Sequence, residues 1–469
     1  MLGLFRINDP YRLAILLIFL FLIALPIWVS DNILTQPELH WMIVGERLGE
    51  GVLLYVNLWD ETGPLAALVY GFIDIIFGRS VLSYRILGLI LFFIQAAYFN
   101  ISLLRHKILT EYNYVPSLVY AILGMLVFNQ ITLSPALMGL SFILPAFDNL
   151  FFHLQARKRF DAQLVNIGIL TGIASLFYIP FVYFMIIWVF ALLVYSTTIY
   201  RRYFLMFYGF IFIFFILWIF YVWKGQADKL YIDYFFSLFR RAPSHYMNFY
   251  PMLIFMAVPA FVFLINLFIV YKQPGYTNYQ SRIQSFFLLT FLALSPVWLI
   301  YCDHSGNNLI LFIPGMAFFI TQGFILIKKH WKRELFFYFF VISILAINYG
   351  TFFNFADLKD KTGLYNVMTK EVSCTVPIEG KRILVVGDNI NYYAHSHQAT
   401  PYFNWRLSRL QLDRLNYYDN LVDIYRNFEK DMPEVIIDLN GVMGNVFEKI
   451  PLLERRYLLV DEKGVYVLN

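Results

Sequence analysis

Apolar residues recur along the first 353 or so positions in blocks of about 20, separated by short polar stretches, and about 20 helical residues are what a hydrocarbon core of roughly 30 Å requires. Eleven such blocks are read as spans: 13–30, 82–104, 114–128, 136–155, 163–180, 181–199, 204–223, 252–271, 285–302, 308–327 and 335–353. From Asn354 onward the pattern changes to that of a small globular domain. Short β-branched runs at Arg382–Val386, Glu434–Leu439 and Tyr457–Val460 predict strands, and apolar residues at helical spacing fill Leu407–Glu429. The expected architecture is a polytopic α-helical membrane domain, 1–353, followed by a small α/β domain, 354–469.

Composition sharpens this picture: 60% of the chain is hydrophobic, 20% aromatic and only 14% charged, which excludes an ordinary soluble protein. The net charge of +5 is carried by clusters between spans, so it is a topology signal and not a nucleic-acid footprint. Alternation from a cytoplasmic N-terminus puts Arg105 with Lys107, Arg157–Arg159, Arg201 with Arg202, Lys272 with Arg282, and Lys328–Arg333 all on the cytoplasmic side. An odd number of spans then places the tail outside, in the periplasm of a bacterium, with the helices in the inner membrane. The apolar run Gly63–Phe77 would reverse every later loop if it crossed, so it is expected to lie at the outer interface. Two cysteines, Cys302 and Cys374, provide neither a thiolate zinc site nor a disulfide framework.

Three outer segments hold candidate chemistry. The long first loop, 31–82, carries Asp31, Glu38, His40, Glu46, Asp60, Glu61 and Asp74, and carboxylates at a membrane surface serve as general bases or metal ligands. Glu38 also follows Pro37 at the start of a helical pattern, where a carboxylate simply favours the helix N-terminus. The second loop holds Arg240 and Arg241, adjacent cations on the outer side that call for an anionic partner. The third, Asp303–Asn308, offers His304 and Asn308 as a site edge. His395 and His397 lack a third ligand in the pattern, and no metal is placed on them.

From Gly45 onward the residues resemble the first outer loop of the GT-C superfamily of membrane glycosyltransferases. The resemblance rests on Gly51, Tyr55, Trp59 with Asp60, Pro64 with Leu65, Phe77 with Gly78, and Arg85 opening the next span; 308–317, with Pro314, is similar to the family's late helix. It implies transfer of a sugar from a polyprenyl-phosphate donor, a membrane lipid, to an acceptor on the outer face. Where the family carries an Asp-Glu pair this chain has Pro37 and Glu38, so Glu38 or Asp31 is expected as the general base. Asp60 and Glu61 are the expected acceptor or metal contacts, and Arg85, Arg240 and Arg241 would hold the donor phosphate; a divalent cation is left open. A rival reading is a catalytically inactive assembly subunit of an envelope complex for secretion or motility, with membrane-complex protein partners. A transporter ranks third, for no paired broken helices are evident despite Pro145, Pro259 and Pro296.

Overall fold

The computed structural model describes residues 1–29, 34–155, 161–196, 199–239, 249–301, 306–355, 363–461 and 464–469. Its helices are α1 (Leu2–Phe5), α2 (Tyr11–Val29), α3 (Gln36–Gly49), α4 (Pro64–Phe77), α5 (Val81–Arg105), α6 (Val115–Gly124), α7 (Pro135–Gln155) and α8 (Asp161–Phe177). They continue with α9 (Phe184–Tyr195), α10 (Tyr200–Trp223), α11 (Ala227–Asp233), α12 (Phe249–Lys272), α13 (Asn278–Tyr301), α14 (Ile313–Leu326) and α15 (His330–Phe352). Two compact units result: Met1–Asn32 with Leu82–Ile219 and Ser244–Val367, and Ile33–Val81 with Phe220–Pro243 and Met368–Asn469.

The first unit is the helical bundle. Among the described residues eight helices are long and apolar enough to cross a membrane, and the three remaining expected spans fall on the shorter apolar helices α6, α8 and α9. The segment Asn307–Leu326 is 94% buried and therefore forms the bundle's centre, whereas α10, at 17%, lies at its periphery. Packing at the centre is aromatic: Phe147 of α7 meets Trp188 of α9 edge-on at 5.5 Å, Trp188 stacks on Phe286 of α13, and Phe287 stacks on Phe318 of α14 at 4.3 Å. Each such pair adds about 0.5–1.5 kcal/mol beyond the area it buries.

Helices α8 and α10 touch by backbone. Gly168 and Gly172 repeat at four-residue spacing on α8, and Gly209 faces them from α10. A Cβ on Gly168 would run into the Met206 carbonyl, and one on Gly209 into the Val165 carbonyl. Small residues at this spacing let helices approach closely in lipid, where dispersion and not the hydrophobic effect holds them together.

In the second unit α3 and α4 form a hairpin. Gly71 lets α4 approach Leu48, and Trp41 stacks on Tyr70 at 6.0 Å. Spanning 14 residues, α4 is about 21 Å long at 1.5 Å per residue, short of a hydrocarbon core. It is amphipathic: Ala66, Ala67, Tyr70 and Ile73 are buried, while Leu68, Phe72, Ile75 and Ile76 are exposed.

The tail supplies a five-stranded sheet in the order β2-β1-β3-β5-β4, from β1 (Arg382–Val386), β2 (His397–Gln398), β3 (Val435–Asp438), β4 (Tyr457–Asp461) and β5 (Val465–Leu468). β1 pairs in parallel with β2 and β3, in the register Leu384↔Ile436, and β5 joins β3 and β4 antiparallel. Four helices accompany it: α16 (Trp405–Leu412), α17 (Tyr418–Lys430), α18 (Met443–Lys449) and α19 (Pro451–Glu454). Leu407, Ile424, Phe428, Val446 and Leu453 close the core against Leu384 and Ile436.

The glycine crossing yields a prediction. Gly168→Leu should destabilise the bundle by on the order of 3 kcal/mol or more, because a carbonyl must move aside. Gly315→Ala, whose Cβ would stand 3.5 Å from its nearest neighbour, should be tolerated. Detergent-solubilised melting temperatures compare the two; equal melting would show that α8 and α10 do not cross at these glycines.

Candidate functional site

The second unit gathers a His–Asp pair from the first loop. Thr35 caps α3 and starts it: its side chain accepts from the Glu38 N–H, and the Glu38 carboxylate accepts from the Thr35 N–H at 3.1 Å and hydroxyl at 2.9 Å. This is a capping box, and it leaves Glu38 1% exposed. Two residues on, α3 presents His40, whose Nε2 lies 3.0 Å from the Asp60 Oδ2. Asp60 is 1% exposed, while the His40 side chain keeps 26% of its surface accessible. The backbone N–H of Thr62 donates to the same Asp60 oxygen at 3.1 Å, as does the Thr62 hydroxyl. Burial pushes the Asp60 carboxyl up, but the His40 ring and the two Thr62 donors outweigh it and hold the group below its usual range.

Neighbouring contacts fix this pair in place. Tyr55 adopts a left-handed backbone (φ 65°), closing a turn in which its N–H donates to the Leu58 carbonyl at 2.8 Å, and its hydroxyl donates to the Thr62 carbonyl at 2.6 Å. Strain at a non-glycine residue costs on the order of 1–3 kcal/mol and persists where the surroundings enforce it. Trp59 donates its backbone N–H to the Pro401 carbonyl, and the Asn404 N–H donates to the Trp59 carbonyl, so the segment bearing Asp60 is stitched to the tail. Phe403 packs on the His40 ring at 4.8 Å. From the second loop, the Lys229 ammonium sits 4.1 Å from the centre of the Trp59 ring; burial pushes its pKa down, against Asp233 and Asp423.

A separate polar cluster lies within the first unit. Arg85, buried on α5, stands between Tyr84, whose carbonyl accepts from the Leu133 N–H at 3.1 Å, and Gly88, where a Cβ would meet the Thr132 backbone at 2.6 Å. Gly306 approaches Asn129 in the same way, at 3.1 Å. Around these contacts Gln130, Thr132, Asn307 and Asn308 are all buried. Both amide atoms of Gln130 and of Asn307, and the Thr132 hydroxyl, have no hydrogen-bond partner among the described residues. Each such group costs about 1–3 kcal/mol, which a bound water or ligand would relieve.

Of the residues singled out in the sequence, Glu38, Asp60 and Glu61 belong to the second unit, and Arg85 and Asn308 to the first. Asp31, Arg240, Arg241 and His304 lie outside the described residues. Among the described residues no three His, Cys, Asp or Glu side chains converge as metal ligands. His40 as a partner of Asp60, Thr62, Lys229 and the orphaned amides are additions that sequence reasoning did not single out. Their separations, 20 residues for His40 and Asp60, match no local motif.

No protein-family model matches the chain, and no curated protein matches it in sequence. Among solved structures it is similar to ArnT from Cupriavidus metallidurans bound to undecaprenyl phosphate, at 10% identity and a TM-score of 0.58, over 98% of this chain and 98% of that chain. The chain therefore shares the fold of that structure, here a bundle of long apolar helices with a small sheet-bearing tail.

Proposed function

We propose that this chain is a glycosyltransferase that moves a sugar from a polyprenyl-phosphate donor to an acceptor on the periplasmic face of a bacterial inner membrane. The likeness along both whole chains to a structure bound to undecaprenyl phosphate carries this reading. The basic clusters between spans support a cytoplasmic N-terminus and a periplasmic tail.

In an inverting transfer the acceptor hydroxyl loses its proton as its oxygen attacks the anomeric carbon, and the bond to the lipid phosphate breaks, leaving an anion. The proton needs a base. His40 is assigned this role ahead of Glu38, whose carboxylate is engaged in the helix cap. The His40 ring accepts the proton, and Asp60, 3.0 Å from Nε2, stabilises the imidazolium that forms. Lys229, beside Trp59, is assigned to the departing phosphate.

A second reading, a silent assembly subunit, is favoured by one observation. One of the two edge strands, β4, exposes Leu458, Leu459 and Val460 at 57%, 58% and 55%, an edge suited to protein partners. Co-purification in mild detergent separates the two: a stoichiometric protein partner with no lipid-phosphate release supports the subunit.

For the transferase, purified protein given a labelled polyprenyl-phosphate sugar and a candidate periplasmic acceptor should release polyprenyl phosphate. His40→Gln should lower turnover on the order of 100-fold with donor binding kept. Lys229→Ala should weaken donor binding roughly 10-fold or more. If His40→Gln retains full turnover while Glu38→Gln abolishes it, the base assignment is wrong.

Asp60 also sets an acid limit. Its folded value lies below the ordinary 3.8, so its contribution to stability is fully present above that value and lost as pH falls through the folded one. The gap in melting temperature between wild type and Asp60→Asn should close as pH falls below 3.8. A gap unchanged into strong acid would mean that the carboxylate is not the stabilising species.

A further inference from the structure

The second unit contains a ring of four charges that the reaction above does not use. Arg47 donates from Nη1 to the Glu50 carboxylate at 2.7 Å and from Nη2 to Asp431. Arg382 donates to the other oxygen of Glu50 at 2.8 Å and to the other oxygen of Asp431 at 2.8 Å. The circuit is closed. Two guanidinium groups and two carboxylates alternate, and each charge is bonded to both neighbours.

This ring walls a cavity of about 310 Å³, with Asn57, Asn427 and Lys430 completing its polar lining and Val52 and Pro401 its apolar part. That volume is at the small end of ligand sites, enough for one or two sugar rings. Two features set the cavity apart from a purely structural clamp. Arg47 is 3% exposed, yet its Nε has no hydrogen-bond partner among the described residues. Thr400, also lining the cavity, holds a left-handed backbone at φ 66°, which points its N–H at the Asp431 Oδ2, 3.0 Å away. Strain of this kind collects where a side chain must be aimed.

Because the ring's charges cancel, it exerts little net pull on an ion. What it offers is a dense array of donors and acceptors in fixed planes, since each carboxylate accepts at about four positions and bonds to guanidinium use only some of them. Vicinal hydroxyls of a sugar match such an array, and Val52 with Pro401 suits the CH face of a pyranose. Lys430, an exposed lining residue, adds one positive charge beyond the neutral ring.

We infer that this cavity is a carbohydrate subsite that holds a monosaccharide unit. Its service to the acceptor, as distinct from its binding of sugar, rests on the transferase reading. Full-length protein in detergent should be titrated by saturation-transfer NMR and calorimetry with a neutral hexose, a hexosamine and a uronic acid, each up to about 10 mM. At least one should bind, and Asn57→Leu and Asn427→Ala should each weaken that binding about tenfold, the first without changing the melting temperature, since Asn427 also donates to the buried Tyr402 hydroxyl at 3.0 Å. Loss of affinity for the uronic acid alone in Lys430→Ala would identify an acidic sugar; equal effects on all would identify a neutral one, and either supports the subsite. The inference is overturned if no saccharide binds to protein of unchanged melting temperature, or if binding survives all three substitutions. Sugar binding without any release of lipid phosphate would keep the subsite and remove the transferase; release of lipid phosphate without sugar binding would do the reverse.

Discussion

A carboxylate taken almost wholly out of water must find donors or give up its charge, and in this protein Asp60 finds them in one imidazole and two groups of Thr62. The first loop is built around that demand. The turn at Tyr55 brings Thr62 back within reach, the backbone of Trp59 is pinned to the tail through its N–H and its carbonyl, and Phe403 packs on the ring that faces the carboxylate. Removing the charge would leave the imidazole and both Thr62 donors without the acceptor they share, so the loop's geometry and its chemical poise have one origin.

Hydropathy made the bundle legible because backbone groups in lipid must be satisfied within each segment, which forces long uninterrupted helices. The eleven blocks read from the sequence all correspond to helices, although α6, α8 and α9 are shorter than their blocks. There the chain turns early: Gly124 and Met125 end α6, and a 3₁₀ segment, Ile179–Tyr183, opens at Pro180 between α8 and α9. The strands β1, β3 and β4 were equally plain as β-branched runs, whereas β2, with only two residues, carries too short a pattern to register.

The site was less legible than the fold. Glu38 stood out because a carboxylate after a proline near a helix start is chemically conspicuous, and the capping box with Thr35 is what that position also encodes. His40 did not stand out, for nothing in a linear pattern ties it to a carboxylate 20 residues later. Polar residues such as Gln130 and Asn307 look like ordinary loop residues in sequence; only their burial reveals that their hydrogen-bonding capacity is unused.

The four-charge ring has a consequence for how the protein is made. Arg47 and Asp431 are 384 residues apart, so the partner of an early arginine is synthesised almost last. At roughly 5–20 residues per second, translation separates them by about 20–80 s. During that interval the first loop has already been produced while the strands and helix that would complete its surroundings do not yet exist. Until the C-terminal domain arrives Arg47 and Glu50 have only each other in the ring, without Asp431 and Arg382. The second unit is thus assembled after synthesis, and the cell's handling of the unfinished chain during that wait becomes part of its folding problem.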